Sequence, residues 1–519
     1  MEKVDWDNVQ GLILSGYPQL PHAAYMMWSF LAAPEAGEST SESRAAENTR
    51  ARWLASLTRR LLRAGAAETE NATAGRRGSP PHLKALKKGA LEDPGAINVA
   101  LTANGLIKLG VSDEELLGFS AEFREGMAPR PRPGTTASRR ANILGDTPER
   151  WDWGSWNQAP IDGVLLLYAK QPESLQRLID EELAAMAPVA APVSGPAGPL
   201  IFFGQVWKDQ KDHFGFKDGI SQPIIAGSKL ADTLKRDNPK QARMSVVKPG
   251  EFIHGYLNER GVPAPNGSIA SRPDSARRGR DLTRNGTYLV LRQLEQNVPL
   301  FRREVGRIAG RLRGTKDEES TAWVAARMIG RTQEGEPLVP ASADSVVIGN
   351  GRNDFLYYFE DPFGLHCPLG AHIRRANPRD LIGPNPDAAL RLSKMHRIIR
   401  RGRPYGSRLP NNPGRRASNA TDDSRGIFFI ALNADIAGQF ELIQHSWLNN
   451  GRFAGLYDEV DPLSHVEGGS RAMTVPRRPT SLVMKGLEQF VTMRGGAYFH
   501  LLGIQALESL AGIQHPADG

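Results

Sequence analysis

Short apolar runs alternate with amphipathic stretches along this chain, and the alternation predicts strands separated by helices. In the first half the predicted strands are residues 96–102, 161–169 and 200–207, and the predicted helices are residues 50–65 and 172–186. Ser112 followed by Glu115 has the pattern of a capping box, which predicts a helix that begins after Ser112.

The second half repeats this pattern. Its predicted strands are residues 255–257, 286–292, 425–432 and 497–504, and its predicted helices are residues 296–312, 317–329 and 436–448. Two similar halves of short strands and helices predict an α+β fold, with antiparallel sheets flanked by helices. We place the division in the polar stretch 228–245, which gives an N-terminal half, residues 1–235, and a C-terminal half, residues 236–519. Residues 36–48 and 70–93 are predicted loops.

Composition narrows the class of protein. The chain has 519 residues, of which 40% are hydrophobic, so it can bury a large core together with a cofactor. Its 65 basic and 57 acidic residues form a mixed surface, which does not favour nucleic-acid binding. The single cysteine excludes an intramolecular disulfide framework. Since neither an export signal nor an apolar run of transmembrane length is visible, we expect a cytoplasmic protein with no membrane partner.

The stretch GLHCPLGAHIRRANP, residues 364–378, is the first candidate for chemistry. A neutral imidazole is a good axial ligand for haem iron, and arginines nearby can pair with haem propionates. His372 therefore stands out among the eleven histidines. Covalent c-type attachment is excluded because no CxxCH motif is present. The alternative is that Arg374 and Arg375 belong to a solvated basic turn.

Two further stretches could complete a site with His372. In GFKDGISQP, residues 215–223, two glycines flank Asp218, and a positioned carboxylate can shuttle a proton; the alternative is a simple Asp-Gly turn. In HRIIRRGRPYG, residues 396–406, Arg400 follows two isoleucines and could stabilise negative charge within a pocket. The alternative for that stretch is a strand that ends in a basic turn.

Together these stretches resemble the dye-decolorising peroxidases, haem enzymes of the duplicated ferredoxin-like, dimeric α+β barrel type. The resemblance extends over nearly the whole chain, from VQGLILSGYP at residues 9–18 to FVTMRGGAYF at residues 490–499. It implies that His372 is the proximal iron ligand, Asp218 the distal acid–base residue and Arg400 the distal arginine. The other cofactor-binding residues that we assign are Gly219, Ser221, Arg375, Ile427 and Phe429.

A carboxylate is expected to accept the Nδ1 proton of the ligating histidine. Asp461 is the first candidate for this partner of His372, and Glu441 is the second.

The implied cofactor is non-covalent haem b, and the implied reaction is reduction of hydrogen peroxide with one-electron oxidation of dyes or phenolic donors. An alternative is a haem-binding protein that handles haem or releases iron. Electrons from bulky donors are expected to pass through surface aromatic residues, for which the candidates are Tyr405, Trp447, Tyr457 and Tyr498. Oligomers are possible, and the physiological donor stays open.

Overall fold

The computed structural model describes residues 2–32, 40–66, 95–133, 135, 137–265, 281–341, 352–410, 424–463 and 472–513. The predicted loop 70–93 lies outside these ranges. The other predicted loop, residues 36–48, is wrong from Thr40 onwards, because a helix begins there.

Thirteen α-helices are present in the described ranges. In chain order they are α1 (Thr40–Arg60), α2 (Ala103–Lys108), α3 (Asp113–Leu116), α4 (Ala121–Glu125), α5 (Arg139–Leu144), α6 (Pro172–Met186), α7 (Lys229–Asp237), α8 (Pro239–Ser245), α9 (Val298–Arg313), α10 (Glu318–Ile329), α11 (His372–Ala376), α12 (Pro386–Met395) and α13 (Ile504–Leu510). The predicted capping box is confirmed at α3, where Ser112 accepts from the Glu115 N–H and the Glu115 side chain accepts from the Ser112 N–H.

The strands complete the inventory. They are β1 (His22–Phe30), β2 (Ala96–Leu101), β3 (Gly163–Ala169), β4 (Ala190–Pro192), β5 (Ser194–Gly195), β6 (Gly198–Pro199), β7 (Ile201–Gln205), β8 (Ile224–Ile225), β9 (Val246–Val247), β10 (Thr287–Gln296), β11 (Ile399–Arg400), β12 (Arg403–Tyr405), β13 (Gly426–Asn433), β14 (Ala472–Val475), β15 (Leu482–Lys485) and β16 (Val491–Leu501).

Ten of these strands form one antiparallel sheet in the order β11-β13-β10-β16-β2-β3-β1-β4, with β12 paired to β13 and β7 paired to β1. Strands from the first half occupy one end of the sheet and strands from the second half the other. The two groups meet where His500 of β16 pairs with Leu101 of β2. The predicted α+β fold is confirmed, and the division at residues 235 and 236 stays a prediction.

The two faces of this sheet belong to two separate apolar clusters. Helices α1, α6 and α13 pack into one cluster, whereas two 3₁₀ turns, Trp6–Asn8 and Gly11–Ile13, pack into the other. Every residue of β3 is buried, as expected for a strand that packs on both faces. A separate apolar cluster surrounds α9, α10 and the β14–β15 hairpin, and it includes Ala371 and Cys367 just before α11. This cluster supports the segment that carries His372. No helix in the described ranges is long and apolar enough to cross a membrane.

Two of the predicted elements differ from the structure. The strand predicted at residues 255–257 is a turn, in which Gly255 has φ +90° and Leu257 makes a single bridge to Pro263. The helix predicted at residues 436–448 consists of two π-helical segments, Ile436–Glu441 and Ile443–Leu448.

Candidate functional site

One cavity of about 370 Å³ lies where the stretches with candidate chemistry meet the main sheet. Its wall comes from the loop around Asp218, from β10 and β13, from α11, and from the chain between His396 and Arg400. The sequence-predicted residues that line it are His372, Asp218, Gly219, Ser221, Arg400, Ile427 and Phe429. Three segments that are far apart in the sequence therefore form one site.

His372 stands at the first position of α11 and contributes its imidazole to the cavity wall. Nδ1 lies 2.9 Å from Oδ2 of Asp461. Nε2 makes no hydrogen bond to any described residue, and about a third (34%) of the side chain is accessible. Burial opposes protonation of His372, but the Asp461 carboxylate outweighs it and raises the pKa of the imidazole. This arrangement leaves Nε2 available to a ligand.

Asp461 is itself held in place. Its side chain is fully buried, and its Oδ1 accepts the main-chain N–H of Leu463 at 2.9 Å. Its own N–H donates to the carbonyl of Leu448, also at 2.9 Å. A carboxylate fixed in this way can hold the imidazole in one orientation and one tautomer.

Glu441, the second candidate, is not the partner of His372. It forms a buried ion pair with Arg140 and accepts the hydroxyl of Tyr498 at 2.9 Å. Burial raises the pKa of Glu441, and Arg140 opposes that rise. The charge of Glu441 is therefore compensated by Arg140 and not by His372.

The structure also corrects the expectation for Arg375. Its side chain is fully buried and does not line the cavity. The guanidinium donates to four main-chain carbonyls, those of Trp447, Leu448, Asn450 and Glu459, at 2.6 to 3.1 Å. It therefore braces the segment that leads to Asp461 instead of offering a charge to a cofactor.

Asp218 and Arg400 form a second pair within the cavity. Arg400 Nη2 lies 3.5 Å from Asp218 Oδ1, and the Gly219 N–H donates to the same oxygen at 2.6 Å. Gly219 has φ +79°, a conformation that glycine adopts readily. More than half of the Asp218 side chain (59%) is accessible. The carboxylate is thus positioned by its neighbours and still open to a small molecule.

Gln222 joins the Asp218 loop to Arg400, a role that sequence reasoning missed. Its side chain donates to the Arg400 carbonyl and accepts the Arg400 N–H, each at 3.0 Å. Arg397 adds a bond from its guanidinium to the Ser221 carbonyl at 3.1 Å. Gln222 belongs to the GFKDGISQP stretch, but nothing in the sequence indicates what it contacts.

The sheet supplies an apolar wall. Ile427 and Phe429 alternate along β13 and therefore point to the same side, into the cavity. Ser221 lies on the loop opposite, and its buried Oγ has no hydrogen-bond partner among the described residues.

Three cavity-lining arginines have no carboxylate within ion-pair distance in the part of the chain that the structure describes: Arg331, Arg379 and Arg397. Arg331 and Arg379 donate to main-chain carbonyls and to the side-chain oxygen of Asn353. Burial, with repulsion from Arg379 and Arg400, lowers the pKa of Arg397 to about 9. The cavity therefore carries excess positive charge that suits an anionic ligand.

The wall also contains Arg292, Asp146 and Asp212, to which sequence reasoning assigned no role. Arg292 Nη2 lies 2.6 Å from both carboxylate oxygens of Asp146, a residue 146 positions away in the chain. Asp212 is a further carboxyl group in the wall. No motif marks Arg292 or Asp146, whereas Asp212 lies only six residues before Asp218.

The structure divides the candidate relay aromatics into two groups. Tyr405 and Tyr498 are buried, at 7% and 2% exposure. Trp447 is half-buried, with its ring 5.4 Å from that of His396. Tyr457 is 82% exposed. Of these four aromatic residues, only Trp447 and Tyr457 are exposed enough for a donor in solvent to contact them.

Comparison with known sequences identifies clear relatives, although no family model matches. The chain is 30% identical over 457 residues to a dye-decolorizing peroxidase of Mycena epipterygia, covering 80% of this chain and 76% of the relative. It is 31% identical over 436 residues to a dye-decolorizing peroxidase of Exidia glandulosa, covering 79% and 75%. A multifunctional dye peroxidase of Amycolatopsis is 30% identical over 428 residues, covering 80% and 82%.

Solved structures agree in fold. A DyP-type peroxidase of Anabaena superposes with a TM-score of 0.72 at 21% identity, covering 97% of this chain and 94% of the other. An ancestral D-type dye-decolorizing peroxidase gives a TM-score of 0.71 at 25% identity, covering 98% and 100%.

Proposed function

This chain belongs to the dye-decolorising peroxidase family of oxidoreductases that act on peroxide, and from this premise we propose that it binds haem b and oxidises organic donors with hydrogen peroxide. The observation that supports the proposal is that two pairs of functional side chains line one cavity. The cavity holds an imidazole backed by a carboxylate, His372 with Asp461, and an acid–base pair, Asp218 with Arg400.

The side chains that line the cavity fit haem. Nε2 of His372 would ligate the iron, since Nδ1 is taken by Asp461. Arg331, Arg379 and Arg397 would attract the two propionate groups, because their charges have no carboxylate partner among the described residues. We propose these three in place of Arg375.

Attachment would be non-covalent. Cys367 is fully buried, does not line the cavity, and lies with its Sγ 4.0 Å from the hydroxyl of Tyr357. Ile427 and Phe429 would pack against one face of the porphyrin and keep water from it.

Bound haem would supply the iron that activates peroxide, and it would accept the electrons that the donor molecules give up. The residues of the chain supply the proton chemistry. Asp218 accepts a proton from hydrogen peroxide at its carboxylate and returns it to the departing oxygen atom. Arg400 stabilises the negative charge that develops as the oxygen–oxygen bond breaks. Asp461 retains the Nδ1 proton of His372 and so keeps Nε2 electron-rich.

Electrons from small donors could enter through the cavity, whereas bulky dyes need a route at the surface. Tyr457 is the most exposed of the candidate aromatics, and it lies between Asn450 and Glu459, two residues whose carbonyls accept hydrogen bonds from Arg375. We propose Tyr457 as the site at which bulky donors are oxidised.

The test is reconstitution with haem followed by rapid mixing with hydrogen peroxide in the presence of a phenolic donor. Wild type should oxidise the donor over many turnovers, and Asp218→Asn should slow the peroxide reaction by about 10²–10⁴-fold while retaining haem. A wild-type protein that binds haem but does not turn over the donor would instead support haem handling or iron release. A wild-type protein that binds no haem would overturn both assignments.

A further inference from the structure

We propose that Asp212 is a positioning residue for Asp218, because it closes the hairpin that carries Asp218 and ties that hairpin to the end of β10. The inference rests on the proposed function, since it assigns a role within the same peroxide site. Asp212 lines the cavity, and the reaction described above does not use it.

Main-chain hydrogen bonds define the hairpin, which runs from Gln210 to Asp218. The N–H of Asp218 donates to the Gln210 carbonyl at 3.0 Å, and the N–H of Asp212 donates to the Phe216 carbonyl at 2.8 Å. Gly215 makes the turn, with φ +93° and an N–H that donates to the Asp212 carbonyl at 3.1 Å. Asp218 is thus the last residue of a hairpin whose turn begins at Asp212.

The Asp212 side chain adds the contacts that fix this hairpin. Its Oδ1 accepts the N–H of Phe216 at 2.8 Å, which locks the backbone two residues before Asp218. Its other oxygen, Oδ2, accepts Nε2 of Gln296 at 3.1 Å. Gln296 is the last residue of β10, so one carboxylate joins the hairpin to the sheet that forms the cavity wall.

The tip of the hairpin has separate anchors. A ring nitrogen of His213 lies 2.7 Å from the Tyr405 carbonyl, and Phe214 stacks on Phe301 with ring centroids 4.3 Å apart. Loss of the Asp212 side chain would therefore leave the hairpin attached at its tip and loosen the strand that ends in Asp218. Such a local effect is what a positioning role requires.

The surroundings of Asp212 also explain why a carboxyl group can sit there in either protonation state. Burial raises the pKa of Asp212 to about 6, with a further contribution from the nearby Asp218. Oε1 of Gln296 is buried and has no hydrogen-bond partner among the described residues. If the side-chain amide of Gln296 were flipped, Oε1 could accept a hydrogen bond from the protonated carboxyl group of Asp212.

The same geometry provides a conservative variant. In Asp212→Asn the amide oxygen can still accept from Phe216, and the amide N–H₂ can donate to Oε1 of Gln296. In Asp212→Ala both contacts are lost. A matched control is Asp209→Ala, which removes an aspartate three residues earlier that pairs with Arg408 and does not line the cavity.

The first measurement uses the full chain without haem. Hydrogen exchange of the amides from residue 213 to residue 219 should be at least about tenfold faster in Asp212→Ala than in wild type, because the part-buried, charge-assisted hydrogen bond to the Phe216 N–H is lost. Asp212→Asn and Asp209→Ala should exchange within about twofold of wild type. Equal exchange in wild type and Asp212→Ala would overturn the inference.

The second measurement is the peroxide reaction of the haem-loaded proteins. A displaced catalytic carboxylate should slow Asp212→Ala by about 10- to 100-fold, with rescue in Asp212→Asn. An Asn variant as slow as the Ala variant would mean that the charge of Asp212, not its hydrogen bonds, matters, and would overturn the positioning role. If wild type itself fails to react, the proposed function fails, and the exchange experiment still decides whether Asp212 holds the hairpin.

Discussion

Two buried histidines, His254 and His500, make a contribution to stability that we predict is lost in mild acid. The rings of His254 and His500 lie 5.2 Å apart, are fully buried, and have no hydrogen-bond partner on any ring nitrogen within the described residues. Tyr288 packs edge-on against both rings, at 4.8 Å and 5.1 Å. A second proton on either ring would create a positive charge in this apolar environment, with no partner to compensate it.

Burial lowers the pKa of His254 from 6.5 to about 3, and it lowers the pKa of His500 well below its ordinary value. At these two histidines the unfolded chain therefore binds more protons than the folded chain below about pH 6.5, so their contribution to stability falls as the pH drops from there towards the folded pKa. Since pH 5 lies 1.5 units below the ordinary pKa of 6.5, His254 lowers the free energy of unfolding by about 2 kcal/mol at that pH. His500 adds a loss of the same sign.

The assay is urea unfolding of the haem-free protein at about pH 7.5 and pH 5, followed by tryptophan fluorescence. Each protein serves as its own reference, because only the change in unfolding free energy between the two pH values is compared. His254→Phe should lose about 2 kcal/mol less than wild type between these pH values. His366→Gln, which alters an exposed histidine, should behave as wild type does. Equal losses in wild type and His254→Phe would refute the linkage.

Three further predictions concern the site. Asp461→Asn should weaken haem retention by about 10- to 100-fold, measured as transfer of haem to an acceptor protein; unchanged retention would contradict the hydrogen bond to His372. Arg400→Leu should slow the peroxide reaction by about 10²–10³-fold in rapid mixing while the spectrum of the haem-loaded protein stays that of wild type; a wild-type rate would exclude a role in charge stabilisation. Tyr457→Phe should lower turnover of bulky dyes and leave that of small phenols unchanged; equal loss for both donors would argue against a surface route.

Local sequence patterns predicted most of the elements. The apolar run at 161–169 contains β3, and Pro172 with the apolar spacing after it gave the bounds of α6, Pro172–Met186. These elements depend on nearby residues only, so periodicity and helix-start signals suffice. The turn at Gly255 was missed because its positive φ breaks a short apolar run that otherwise favours a strand.

Contacts between distant segments were harder to predict. Arg375 meets carbonyls 72 to 84 residues further along the chain, and a main-chain acceptor leaves no mark in the sequence. The choice between Asp461 and Glu441 likewise depended on Arg140, a residue 301 positions before Glu441. The motifs thus indicated which residue types form the site, whereas the fold determines how they pair.

We propose His372 as the protein ligand of a haem iron in this cavity. The most direct test is the absorption spectrum of the reconstituted protein, comparing wild type with His372→Ala and with His445→Ala, in which an exposed histidine outside the cavity is changed. We predict a ferric-haem Soret band for wild type and His445→Ala, and loss of that band or a changed spin state for His372→Ala. If His372→Ala gave the same spectrum as wild type, His372 would not be the iron ligand.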